Sequence, residues 1–352
     1  MKITSQIVER LMQQPLEFSI EGSQRPHTRN LVLSPPGLIT GYKHPNETSW
    51  RYHNGCLDFY GMDGKITTRF DCISSIVENR VTLSGPHLVG EIDLRHTLAG
   101  DLLEPIIRDL RNEIYSGGDP FKAANLKYVD KGYPHSNLAK VPQFVDAIMT
   151  IMRPSFWLEI GSMLGGSLIA AATSARRLSV NVAFVAIDPF CGDVNMWAWE
   201  KGLNARGAWS FLRLEDGVPT IHKRFLANVV ESGFHRNVIP IPATSIVGMR
   251  LLLRLKSEGR IGSLPEVIYL DSAHEFDETF IELKTAWRLL PSGGIIVGDD
   301  WSWEAIETEV TNFAKTVSQN EALLRRIATS LPGCVFQNGV LCYRGQWIIA
   351  KE

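Results

Sequence analysis

The stretch Glu266–Trp301, EVIYLDSAHEFDETFIELKTAWRLLPSGGIIVGDDW, decides the fold. Its first run, EVIYLD, is almost wholly apolar and closes on Asp271. A helical stretch, FDETFIELKTAWRLL, carries the chain back, and a second apolar run, GGIIVGDD, closes on Asp299 and Asp300. Two such strands joined by a crossover helix run parallel in one sheet, because a tight turn can join only antiparallel strands. His274 stands just past the first strand, so three carboxylates and an imidazole fall at one sheet edge. Open α/β sheets bind their ligands at that edge, outside the carboxyl ends of the strands.

The same alternation continues on both sides of this stretch. FWLEIG precedes GGSLIAAATSARR, VAFVAID precedes a long Trp-rich connection, and NVIPIPA precedes SIVGMRLLLRLKSEG. After GGIIVGDD comes WEAIETEVTNFAKTV. Near-continuous apolar strands alternating with helices predict a doubly wound, Rossmann-like α/β sheet buried on both faces. At the C-terminus the runs CVFQN and GVLCYRGQWIIAK are separated by little more than a turn and are expected to pair as an antiparallel hairpin.

FWLEIG leads into Glu159-Ile-Gly161-Ser162-Met-Leu-Gly165-Gly166-Ser167 and then into a helix. Glycines here let backbone approach a ligand, and the helix N-terminus offers unpaired N–H groups. Met163 breaks the G-x-G-x-x-G dinucleotide fingerprint, and no G-K-[ST] follows, so a nucleotide di- or triphosphate is not the expected ligand. The next strand ends in Asp188, an acid able to accept the hydroxyls of a ribose. Glu159 before the glycine and Asp188 one strand later resemble the arrangement that S-adenosylmethionine-dependent methyltransferases use. Glu159, Gly161, Ser162, Gly165, Gly166, Ser167 and Asp188 are therefore the expected donor-binding residues. The plainer reading, that Gly165 and Gly166 only allow close helix packing, leaves Glu159 at a strand end among apolar neighbours without a reason.

At the acid-rich edge, neighbouring strands about 4.8 Å apart would bring Asp271 and the Asp299-Asp300 pair toward one ion. In a continuing strand the pair would face opposite sides, so a chain turn must bring both round. An oxygen-only set suits Mg²⁺ or Mn²⁺. The competing readings are structural: Asp300 or Ser302 capping the following helix, a surface His274, and Glu275 and Asp277 in a first helical turn.

The D-x-x-H of Asp271 and His274, the acidic pair in GGIIVGDDW and the run WLEIGSMLGGS resemble the metal-dependent sugar O-methyltransferases of the macrocin and mycinamicin type and their rhamnosyl relatives. The resemblance spans roughly residues 133–350. It implies that Asp271, Asp299 and Asp300 ligate Mg²⁺ and that His274 is the general base acting on a sugar hydroxyl. That family often has Glu-Asp where this chain has Asp299-Asp300, which is one methylene shorter. Catechol-type methyltransferases resemble it less, since they usually carry a Lys where His274 stands.

Upstream, residues 3–12 suggest a short amphipathic helix, and from Arg29 to Thr97 short apolar runs alternate with Gly, Pro and Asn. The clearest hairpin there is CLDFY-GMDG-KITTRF, and the whole reads as a small β-sandwich or barrel. With 352 residues, two domains are expected: a β-rich unit over 1–116 and the methyltransferase unit over 117–352. The first would serve substrate recognition or assembly. A carbohydrate-binding or assembly protein with a catalytically silent second unit is the alternative from a different class.

A hydrophobic fraction of 44% with 21% charged residues fits a globular protein rather than a disordered one. A net charge of −2 without basic clusters argues against nucleic acid and anionic membrane as partners. Five scattered cysteines and no secretory leader point to the cytoplasm. The expected partner is a small-molecule or glycan hydroxyl acceptor, with homo-oligomerisation left open. The connection after Asp188 carries Trp197, Trp199 and Trp209, suited either to a sugar or aromatic aglycone or to the core of a lid. Tyr133 and His135 fall in the linker and are candidates to close over the donor.

Overall fold

Phe156–Ile160, with every residue buried, is an interior strand because its apolar run has packing partners on both faces. The computed structural model describes residues 1–77, 80–91, 93–130, 138–198, 211–272 and 275–352. It divides into two units, one comprising Met1–Arg108 and Asn112–Gly117, the other Asp109–Arg111 and Gly118–Glu352. His274, Tyr133, His135, Trp199 and Trp209 lie outside the described residues. No helix among the described residues is long and apolar enough to cross a membrane.

The first unit opens with helix α1 (Ser5–Leu11), followed by β1 (Leu16–Ile20), β2 (Thr28–Ser34), β3 (Leu38–Thr40) and β4 (Ser49–His53). It continues through β5 (Cys56–Tyr60), β6 (Ile66–Phe70), β7 (Cys72–Val77), β8 (Arg80–Pro86) and β9 (Arg95–Asp101). Helix α2 (Pro105–Tyr115) contains residues of both units. Among the described residues the nine strands form one antiparallel sheet in the order β6-β5-β4-β3-β2-β1-β9-β8-β7. CLDFY and ITTRF are the paired β5 and β6. The sheet bends back on itself where Thr68 bridges His87 and the Leu88 N–H donates to Thr67 O at 2.7 Å. Inside the bend pack Phe18, Phe59 and Phe70, with Phe59 and Phe70 ring centroids 5.0 Å apart.

The second unit runs α3 (Pro142–Met152), β10 (Phe156–Ile160), α4 (Gly166–Arg177), β11 (Ala183–Ile187) and α5 (Val194–Ala198). A short pair β12 (Leu214–Glu215) and β13 (Val218–Pro219) precedes α6 (Ile221–Glu231), β14 (Val238–Ile241), α7 (Ser245–Ser257) and β15 (Val267–Leu270). Then come α8 (Glu278–Leu289), β16 (Ile295–Gly298), α9 (Glu304–Ala314) and α10 (Glu321–Ser330). Strands β17 (Val335–Gln337), β18 (Val340–Tyr343) and β19 (Gln346–Ala350) finish the unit.

The sheet order is β14-β11-β10-β15-β16-β19-β18-β17, parallel from β14 to β16 and antiparallel beyond. Chain order reverses between β10 and β15, and a crevice opens at such a switch point. The run GVLCYRGQWIIAK is not one strand but two. Arg344 and Gly345 both have positive φ, 48° and 86°, as a two-residue type I′ turn requires, and they fold β18 onto β19. The acid-bearing strands β15 and β16 are direct neighbours, Leu270 opposite Gly298.

Candidate functional site

The switch point is built around Gly161. Its N–H donates to Ile187 O, while the Asp271 N–H donates to Ile160 O, both at 2.9 Å. Gly161 has φ 85°, and a Cβ on it would lie 2.1 Å from Asp271 O. Only glycine meets both demands, a left-handed backbone and direct contact with the neighbouring strand end.

A cavity of about 520 Å³ opens here. Gly161, Ser162, Gly166, Ser167 and Asp188 line it, and so do Asp271, Asp299 and Asp300. Two expected donor residues are not on its wall. Glu159, with no exposure, lies beneath the turn and accepts the Ser167 hydroxyl through Oε1 at 3.0 Å. Its Oε2 is buried without a hydrogen-bond partner among the described residues. Burial pushes its carboxyl up to about 8, the Ser167 hydroxyl offsetting part of the rise, so Glu159 is protonated at neutral pH. Gly165 sits at the N-cap of α4 with φ 83°, donating its N–H to Ser162 O at 2.6 Å.

Asp188, 8% exposed, grips the glycine turn itself. Its Oδ2 accepts the Met163 N–H at 2.7 Å, and its Oδ1 accepts the Phe190 N–H at 2.5 Å. Burial raises its carboxyl above the usual range, and these two N–H groups act against the rise. Each carboxylate oxygen can accept more than one hydrogen bond, so capacity for ligand hydroxyls is left.

At the acidic end, Asp299 continues the ladder beyond β16 and Asp300 turns away from it with φ 56°, a conformation Asp tolerates. Both therefore reach one cavity despite being adjacent. Asp299, 5% exposed, is held on several sides. Its Oδ1 accepts Gln346 Nε2 at 2.6 Å and the Asp300 N–H at 2.7 Å, and its Oδ2 accepts the Tyr269 hydroxyl at 3.4 Å. Its backbone oxygen accepts the Trp347 indole N–H at 2.9 Å. Burial, with Asp271 next, raises the Tyr269 hydroxyl well above its ordinary value, so it stays a donor.

Asp271, Asp299 and Asp300 share one cavity and offer only oxygen, the chemistry of a hard cation. Among the described residues, however, no group of three His, Cys, Asp or Glu side chains is arranged to hold a metal ion. Asp299 Oδ1 is occupied by the Gln346 amide and the Asp300 N–H.

Helix α9 starts at Glu304 with Trp303 at its N-cap and no side-chain cap. Asp277 and Glu275 precede α8, whose first residue is Glu278, so they are not in its first turn. Instead Glu309 of α9 caps α8 from outside, accepting the N–H groups of Asp277 and, at 2.7 Å, Phe280. Trp197 is 42% exposed and donates its indole N–H to Cys191 O at 2.7 Å.

Sequence reasoning missed two parts of the wall. Thr244, Ser245 and Ile246 line the cavity from the end of β14, and Ser272 does so beside Glu282, to which its hydroxyl donates at 2.9 Å. Both follow strand ends, and that position is the signal that would have found them.

Residues 158–301 match a family model described as a methyltransferase domain. Over those residues, which lie in the second unit, the chain is similar to a methyltransferase domain. No curated protein matches it. Among solved structures, the O-methyltransferase TomG from Streptomyces achromogenes, involved in tomaymycin synthesis and in complex with SAM, is 12% identical. That likeness covers 60% of this chain and 80% of TomG, with a TM-score of 0.33. An O-methyltransferase from Bacillus cereus in complex with SAH is 13% identical over 69% of this chain and 95% of its own, TM-score 0.34. At these identities and TM-scores the two say nothing about what this chain binds.

Proposed function

We propose that this protein transfers the methyl group of S-adenosylmethionine to a hydroxyl of a sugar or glycosylated small molecule. The observation that carries the reading is one cavity with two chemically different ends. One end has the glycine turn, the α4 N-terminus and Asp188, and the other has Asp271, Asp299 and Asp300. Backbone N–H groups at the first suit the donor's carboxylate, and Asp188 suits its ribose hydroxyls.

The half-buried Asp271 and Asp300 are the side chains proposed to orient the acceptor by accepting its hydroxyl hydrogens. His274 is the proposed base. It takes the proton of the reacting hydroxyl as the oxygen bonds to the methyl carbon. The carbon–sulfur bond breaks with its electron pair left on sulfur, releasing S-adenosylhomocysteine and an ether. Holding acceptor and donor in line supplies much of such a rate. A Mg²⁺ or Mn²⁺ requirement belongs to the family resemblance. The described carboxylates are not arranged as a three-ligand group, and no step is assigned to a metal.

Calorimetry with S-adenosylhomocysteine, with and without Mg²⁺, separates these statements. Donor-product binding is expected in either case. No binding to the folded protein would end the proposal, and a strict Mg²⁺ requirement for turnover would restore the metal. Screening glycoside hydroxyls with labelled donor tests the acceptor class.

A further inference from the structure

Asn228 lies on α6, outside the wall of the cavity, and its side chain is 6% exposed. Its amide works in two directions. Nδ2 donates to Leu164 O at 3.0 Å, and Oδ1 accepts the Asp130 N–H at 2.8 Å. Leu164 stands in the donor turn, between Met163, whose N–H is held by Asp188, and Gly165, which caps α4. The turn is thus gripped from the cavity side by a carboxylate and from behind by an amide.

Asp130 passes the connection on. Its carboxylate accepts Arg224 Nη2 and lies 3.1 Å from Arg213 Nη2, while Arg224 Nη1 donates to Phe211 O. Arg224 is 2% exposed. A buried carbonyl such as Leu164 O is left with an uncompensated desolvation penalty when a donor to it is removed. Among side chains of this length, only Asn carries a donor and an acceptor on one rigid plane. Fully satisfied buried polar networks of this kind rigidify the groups they join.

We propose that Asn228 is a positioning residue of the donor site. It holds the Leu164 carbonyl, and with it the Met163–Gly165 turn, in the conformation that receives the donor. This rests on the reading of that turn as the donor site.

The test uses the full-length chain with Asn228→Asp, which keeps the size and the acceptor for Asp130 N–H but cannot donate to Leu164 O. Asn228→Ser, which is too short to reach Leu164, carries the test if the first variant does not fold. Hydrogen exchange over residues 161–167 and calorimetry with S-adenosylhomocysteine are the two readouts. Exchange in the turn is expected to quicken and affinity to fall about tenfold, the factor set by one lost buried hydrogen bond. Strands β16 and β19 should keep their protection. Wild-type exchange and affinity in the folded variant would overturn the proposal, as would loss of protection spread equally over the sheet. If the wild type itself does not bind S-adenosylhomocysteine, the donor reading fails, and exchange in the turn still decides whether Asn228 holds it.

Discussion

The two ends of the cavity are built differently. The glycine end, proposed to hold the donor, is made of backbone: Gly161 against the Asp271 backbone oxygen, and the Met163 and Phe190 N–H groups on Asp188. The acidic end is made of side chains held by other side chains, Asp299 by Gln346 and Tyr269, and Glu282 by Ser272. A backbone-built end tolerates almost no substitution at its tightest point. A side-chain-built end can lose one partner and relax.

The largest effect should follow from Gly161→Val, which places a Cβ against Asp271 O and forces a left-handed backbone on a β-branched residue. A loss of about 4 kcal/mol in urea unfolding is expected, at the upper end for single substitutions, together with loss of S-adenosylhomocysteine binding. Stability within about 1 kcal/mol of wild type would erase the contrast between the ends.

Glu159 sharpens it through pH. Its folded-state value, about 8, lies above the unfolded carboxylate value, so the folded state binds the extra proton between them. The stability linked to that proton is complete below the unfolded value and is lost as pH rises through about 8. Glu159→Gln should remove a pH-dependent loss on the order of 3 kcal/mol, seen as a flatter unfolding curve from pH 5 to 9.

At the acidic end, Asp299→Ala strands the Gln346 amide and the Asp300 N–H and should cost about 2 kcal/mol. Affinity for S-adenosylhomocysteine should stay within about threefold, because the Gln346, Asp300 and Tyr269 partners of Asp299 lie outside the Gly161–Gly165 turn. A collapse of donor affinity would mean that the two ends are one unit.

The first unit supplies the opposite pH window and the smallest effect. His96 is buried beside Phe18, and its Nδ1 lies 2.9 Å from the Thr68 hydroxyl. Burial, reinforced by His87, His27 and His44, pushes it down to about 4. Here the unfolded state binds more protons, so stability is complete above the ordinary histidine value and falls as pH drops toward 4. His96→Asn should flatten a loss of about 1–2 kcal/mol between pH 7 and 5, followed by fluorescence during urea unfolding.

Much of the second unit was legible because its signals are local. FWLEIG, VAFVAID, EVIYLD and GGIIVGDD are apolar runs that need burial on both faces, and they are β10, β11, β15 and β16 with their strand ends. The break at Arg344-Gly345 was missed because the apolar character resumes at once beyond it, and only the positive φ angles mark the turn. The helical start at Glu278 was misjudged because its N-terminal cap comes from Glu309, on another helix.

By itself, then, the sequence determined an alternating α/β unit, a glycine turn before a helix and acids at strand ends, since periodicity and local backbone demands act within a few residues. Only the tertiary structure decided that β10 and β15 flank the switch point, that the Gln346 amide donates to Asp299, and that the Asn228 amide donates to the Leu164 carbonyl. Those choices depend on hydrogen bonds between residues far apart in the chain, whose pairing no local pattern encodes until the sheet is formed.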